Sequence, residues 1–152
     1  MDYIECNMGR TFVARLYDGE SVYDAVESLA AKENILSASV LALGGMRKAG
    51  VVTGPANPDD MTDLQPMVQR FDDAREMLGV GTIFQSEGKP LLHFHAGMGR
   101  GESAIIGCPR EEAICFLIQE VVIIEWTGLD AERKLDADTG FRLLALAGCS
   151  KL

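Results

Sequence analysis

Residues 88–108, GKPLLHFHAGMGRGESAIIGC, constrain the fold more than any other stretch because they combine strict alternation with closely spaced glycines. Successive side chains of a β-strand point to opposite faces, so His93 and His95 are expected on one face of a strand and Phe94 on the other. The glycines that follow allow the chain to double back. This pattern predicts that residues 103–108 form the second strand of a hairpin.

The two histidines are candidate metal ligands because neutral imidazole is the commonest protein ligand for zinc-like ions. The hairpin register decides which residue could complete the site. If His95 faces Ala104, Cys108 joins the histidine face, whereas a slip of one residue brings Ser103 there instead. A thiolate binds borderline cations well, which favours Cys108. A polar, partly solvated strand face without a metal is the alternative, and the register stays open at this point.

The turn GMGRG places Arg100 beside these candidates. Glycine-rich turns expose backbone N–H groups that can bind anions, so Arg100 is a candidate for steering an anionic ligand toward a bound cation. A solvated arginine in a turn is the simpler interpretation.

Charge and composition exclude several classes of protein. The 152 residues are expected to form a single domain, 1–152, with 14 basic against 23 acidic residues and a net charge of −9. A domain that binds duplex DNA usually clusters Lys and Arg, so autonomous DNA binding is disfavoured. Four dispersed cysteines without C-x-x-C spacing argue for free thiols. The sequence shows neither a membrane span nor a signal peptide, which predicts a cytoplasmic protein without a membrane partner.

The remaining pattern predicts about eight strands and one main helix. Ser21 begins a helix whose apolar stripe ends near Asn34. Two short strands flank Gly44-Gly45, a pair that predicts a tight turn or a bulge. Residues 113–127, AICFLIQEVVIIEWT, indicate one long strand, and a last strand at 141–147 follows an acidic loop. The sum is an α+β domain dominated by sheet.

Residues 81–97, GTIFQSEGKPLLHFHAG, resemble the core motif of the plants-and-prokaryotes-conserved (PPC) domain, a Gly-Thr-Ile strand, a Gly-x-Pro turn and a His-x-His strand. Weaker similarity covers nearly the whole chain in the family's order. The resemblance implies a largely antiparallel sheet of seven to eight strands with one main helix, assembled as a homotrimer. Some members hold a metal through their histidines, which implies zinc or another divalent transition metal here.

The chain departs from the family at two places. Many members carry a third histidine after the His-x-His strand, and Ser103 occupies that position here when the sequences are aligned on Gly107-Cys108. The third ligand would then be Cys108, a water held by Ser103, or absent. The chain also has no AT-hook, the minor-groove binder that precedes the domain in plants.

Three functions follow as hypotheses. The first is a homotrimeric binding module with a metal or small-ligand site formed by His93, His95 and Cys108, with Arg100 and Ser103 as further ligand-binding residues. The second is a DNA-binding or transcription-associated protein, which rests on the family label. The third is a small metal-dependent enzyme, which is disfavoured because the chain shows no recognisable nucleophile–base pair.

Overall fold

The computed structural model describes residues 1–60 and 63–151. This part of the chain forms an α+β fold, mostly sheet with one helix, as predicted. Its elements in chain order are β1 (Asp2–Tyr3), β2 (Asn7–Tyr17), α1 (Val22–Lys32), β3 (Ser37–Pro55), β4 (Pro66–Phe71), β5 (Arg75–Ser86), β6 (Lys89–Arg100), β7 (Ser103–Thr127), β8 (Asp130–Leu135), β9 (Arg142–Ala147) and β10 (Ser150–Lys151).

The helix begins where the capping pattern predicts. Ser21 is the N-cap, and its side chain accepts a hydrogen bond from the backbone N–H of Asp24 at 3.3 Å. Val22, Val26 and Ala30 recur at helical spacing and are fully buried against the sheet. No helix among the described residues is long and apolar enough to cross a membrane.

The strands form one eight-stranded sheet and a small sheet of β1 and β10. In the large sheet β3 pairs with both β5 and β7, and β6 also pairs with both, so these four strands make a closed circuit around the core. Within the described residues, the pairing of β5 with β8 is parallel and the others are antiparallel. The sheet is therefore mixed, which refines the prediction of a largely antiparallel one.

The Gly44-Gly45 pair marks a bulge within β3 and does not separate two strands. The register against β7 shifts between these glycines, while the 19-residue strand continues through them. Gly44 has φ +134°, and a Cβ there would lie 2.3 Å from the carbonyl oxygen of Ile118. A glycine is required because the two backbones approach so closely.

The predicted hairpin is present, but its register differs from both sequence alternatives. Arg100 pairs with Ser103 and Gly99 with Ala104, so Ala104 does not face His95. Gly97, two residues after His95 and on the same face, pairs with Ile106, and Cys108 follows Ile106 by two residues. Cys108 therefore falls on the histidine face, because opposed residues of an antiparallel pair share a face.

The acidic segment before the last strand is not a loop throughout. Residues Asp130–Leu135 form β8, which pairs antiparallel with β9 and meets β5 at Gln85 and Glu132. This added strand forms one wall of the cavity described below.

Candidate ligand site at the histidine strand

The alternation along β6 separates a core face from a histidine face. Leu92, Phe94 and Ala96 are at most 4% exposed and belong to the hydrophobic core. His93 and His95 are exposed on the opposite face. The prediction that both imidazoles project from the same side of one strand is confirmed.

The two imidazole rings converge. Their Nε2 atoms lie 3.0 Å apart, and the rings meet edge to face with centroids separated by 4.9 Å. Two nitrogens bound to one zinc-like ion at 2.0–2.1 Å would lie roughly 2.9–3.4 Å apart, depending on the bond angle. The same 3.0 Å is also the length of a direct hydrogen bond between the two rings, so the distance is compatible both with such a bond and with two adjacent positions on a single divalent metal ion.

Electrostatics favour the neutral form of His93. Burial is the main cause that lowers the pKa of His93, and the positive charges of Arg133 and Arg110 and the neighbouring His95 lower it further. A metal ligand must be the unprotonated imidazole, so this environment suits a coordinating role at neutral pH.

Cys108 lies near the histidine strand with its thiol already in contact with other groups. Its Sγ is 3.6 Å from the hydroxyl of Tyr23 and accepts a hydrogen bond from Nε of Arg110 at 3.4 Å. No cluster of three or more His, Cys, Asp or Glu side chains suited to a metal ion occurs in residues 1–60 and 63–151. The role of Cys108 as third ligand stays a prediction.

Arg100 and Ser103 lie at the far end of the hairpin. Ser103 donates to the carbonyl of Arg100 at 3.3 Å, and Arg100 donates to the carbonyl of Ala74 at 3.1 Å. Arg100 follows His95 by five residues, roughly 16 Å along an extended strand. The structure therefore does not bring these two residues to the histidines, and their ligand role also stays a prediction.

A cavity of about 970 Å³ opens beside the histidine strand, between α1, the central strands and the β8–β9 hairpin. His93 and Cys108 both line it. The other lining residues were not predicted as site residues from the sequence, and they combine apolar and aromatic side chains with a few charged or polar ones. They are Tyr23, Glu27, Thr82, Phe84, Leu91, Leu92, Arg110, Trp126, Arg133, Gly140, Phe141, Arg142, Leu143 and Leu144. Arg133 lies in the segment read as a loop, and no local sequence signal identifies it.

The Glu125 carboxylate on β7 is held in an ion pair with Arg10. It accepts hydrogen bonds from Nε and Nη2 of Arg10, each at 2.8 Å, and Glu125 is not among the cavity-lining residues. These bonds lower the pKa of Glu125 to about 2, so the carboxylate is a weak base at neutral pH.

Fold and site together define a class of small α+β domain: a closed circuit of strands with one helix and a paired-histidine strand beside an open cavity. The family model of the Plants and Prokaryotes Conserved (PCC) domain matches residues 3–127. The chain therefore belongs to this family, the PPC family that its His-x-His motif resembles. No curated protein sequence matches the chain.

Solved structures share the fold. A metal-containing protein of Archaeoglobus fulgidus superposes with a TM-score of 0.82 at 22% identity, covering 95% of this chain and 99% of that one. A plant- and prokaryote-conserved protein of Pyrococcus horikoshii gives 0.79 at 22% identity, with 95% and 97% covered. A candidate DNA-binding protein of Ralstonia eutropha gives 0.73 at 24% identity, with 88% and 90% covered.

Proposed function

We propose that this chain is a homotrimeric binding module in which His93 and His95 hold a divalent transition metal ion, such as zinc, at the boundary between protomers. The convergence of the two Nε2 atoms to 3.0 Å carries the proposal. The metal-containing relative from Archaeoglobus fulgidus supports it by analogy of fold. Bound there, the metal would act as a Lewis acid that anchors a ligand's oxygen or nitrogen atom.

The surface beside the histidines supports assembly with further copies of the chain. Leu41 and Leu43 on β3 pair with Val80 and Leu78 on β5, and all four are between 47% and 69% exposed. Val80 in turn pairs with His95, so the apolar patch reaches the metal candidates directly. Exposed contiguous apolar patches mark interaction sites, and sister chains are the proposed occupants.

A metal site between protomers would account for the small number of protein ligands that one chain supplies. Two imidazoles fill two positions, whereas zinc usually takes at least three protein ligands. In a trimer, groups from a neighbouring protomer or water would complete the coordination. Cys108 is the proposed third ligand within the same chain, which would require its thiol to leave Tyr23 and Arg110.

Element-resolved metal analysis of purified protein, combined with native mass spectrometry, tests the proposal. His93→Ala and His95→Ala should each reduce bound metal at least tenfold, because each removes one of two converging donors. Lys89→Ala, an exposed residue at the start of the same strand, is the matched control and should retain the metal. Cys108→Ala reports separately on the third ligand.

Two results would contradict the proposal. Equal metal content in wild type, His93→Ala and His95→Ala would contradict the proposed metal site. A purely monomeric mass in dilute buffer would contradict the proposed homotrimer.

The two alternative functions have less support. DNA association comes only from the descriptions of structural relatives, and the net charge of −9 opposes it. Tight, salt-dependent binding of duplex DNA by the isolated protein would establish it instead. A metal-dependent enzyme would show turnover that a chelator abolishes and zinc restores. A cytoplasmic location stays a prediction.

A further inference from the structure

Arg133 on β8 is a buried cation without a counter-ion among the described residues. The residue is 8% exposed, and it forms no ion pair with any residue of 1–60 or 63–151. Its Nη2 donates to the hydroxyl of Thr82 at 3.0 Å, and its guanidinium lies 5.7 Å from the centroid of the Phe84 ring. Its Nε is buried and has no hydrogen-bond partner in the part of the chain that the structure describes.

A buried charge without a partner lowers the stability of the unliganded protein. Burial lowers the pKa of Arg133, yet a guanidinium stays ionised at neutral pH, so a full positive charge remains in the interior. Buried charges are normally paired with an opposite charge. Arg133 lines the cavity of about 970 Å³, so a molecule in that cavity is placed to supply the missing negative charge.

Counted together with Arg133, the charged residues around the cavity leave a surplus of about one positive charge. Arg142 is neutralised by Glu87, with Nη2 2.6 Å from the carboxylate. Arg110 donates to the Cys108 thiol and has no ion pair in the described part of the chain. Arg110 and Arg133 together face the single carboxylate of Glu27 among the lining residues. A cavity with a net positive charge is unusual in a chain with a net charge of −9.

The remaining wall is apolar and partly aromatic. Phe84 and Trp126 lie side by side with ring centroids 6.0 Å apart, and Phe141, Leu143 and Leu144 line the β9 side. Apolar walls with a few polar anchors are typical of small-molecule sites.

We propose that this cavity binds a small organic monocarboxylate, with the carboxylate paired to Arg133 and an apolar or aromatic body against Phe84 and Trp126. A single carboxylate matches the surplus of about one charge, and the apolar wall distinguishes such a ligand from inorganic phosphate. The inference rests on the proposed binding role of the domain but not on the metal, and Arg133 lies beyond residue 127, where the family match ends.

Isothermal titration calorimetry with benzoate tests the proposal on protein treated with EDTA. Benzamide, which has the same shape without the charge, and inorganic phosphate, which has charge without an apolar body, are the ligand controls. Benzoate should bind at least tenfold more tightly than either. Quenching or enhancement of Trp126 fluorescence, the sole tryptophan, provides a second readout at the cavity wall.

Three variants assign the anchor. Arg133→Met should weaken benzoate binding at least tenfold, while its thermal midpoint without ligand stays equal or rises, since an unpaired buried charge is removed. Arg133→Lys keeps the charge and should retain part of the affinity. Arg70→Met is the matched control, because Arg70 pairs with Glu111 on the surface and does not line this cavity.

Each outcome decides for or against the inference. Equal binding of benzoate and benzamide, or no effect of Arg133→Met on benzoate, would overturn it. An Arg133→Met protein that loses its oligomeric state would also overturn it, because a carboxylate of a second copy would then be the partner. Benzoate binding that survives EDTA, in a protein shown to hold no metal, would support this inference while the metal proposal fails.

Discussion

Replacement of Glu125 by Gln probes the best-defined ion pair of the structure. The Glu125 carboxylate on β7 accepts three hydrogen bonds from Arg10: from the backbone N at 3.1 Å, and from Nε and Nη2 at 2.8 Å each. The side-chain hydrogen bonds are the main reason that the pKa of Glu125 falls from 4.5 to about 2. Gln keeps the shape and removes the charge.

The expected loss follows from this shift. A change of about 2.5 pKa units sets an upper limit of about 3.4 kcal/mol, at roughly 1.36 kcal/mol per unit. The Arg10 side chain is 51% exposed, so water screens the pair. We therefore expect Glu125→Gln to lower the free energy of unfolding by about 1–2 kcal/mol at pH 7.

The sign of the pH dependence is fixed by the direction of the shift. Because the pKa of Glu125 is lower in the folded state, its stabilisation is fully present above pH 4.5 and is lost as the pH falls toward 2. The difference in stability between wild type and Glu125→Gln should thus shrink to about half or less by pH 3.

Urea unfolding followed by Trp126 fluorescence measures this difference at pH 7 and pH 3, with the protein concentration held equal because any self-association would change the apparent stability. Glu120→Gln, an exposed position on the same strand, is the control and should change stability by less than about 0.5 kcal/mol. A difference for Glu125→Gln that is unchanged between the two pH values would refute the ion-pair argument.

Two further predictions concern packing and assembly. A Cβ at Gly79 would lie 2.3 Å from the buried ring of Phe94, so Gly79→Ala should lower the free energy of unfolding by about 1–3 kcal/mol in urea titrations. Gly97→Ala, whose Cβ would meet Ile106 at an ordinary 3.6 Å, is the control, and an equal loss there would contradict the packing explanation. Leu78→Glu in the exposed patch should shift the native mass toward monomer, whereas Leu135→Glu, exposed on β8, should not. A Leu78→Glu protein with unchanged mass would place the oligomer interface elsewhere.

Local patterns determined several features from the sequence alone. The capping residue Ser21 and the apolar spacing after it specify α1, and alternation along β6 specifies the shared face of His93 and His95. These features depend only on the geometry of the helix or strand that contains them. The His-x-His motif was also specific enough to identify the family.

Tertiary structure decided what depends on distant segments. The continuity of β3 through Gly44-Gly45 depends on β7, whose backbone fills the space where a side chain would stand. The hairpin register placed Cys108 on the histidine face and took Arg100 away from it, because pairing is set by the whole sheet and not by the turn glycines alone.

The cavity illustrates the same division between sequence and structure most clearly. Alternation along the sequence predicted that the two histidines share one face of β6. Arg133, by contrast, lines the cavity because β8 joins the sheet beside β5. No periodicity relates Arg133 to His93, which lies 40 residues earlier in the chain. The sequence by itself determined which residues share a strand face. Long-range strand pairing decided which charged side chains meet in the cavity, because contacts between distant segments produce no periodic pattern in the local sequence.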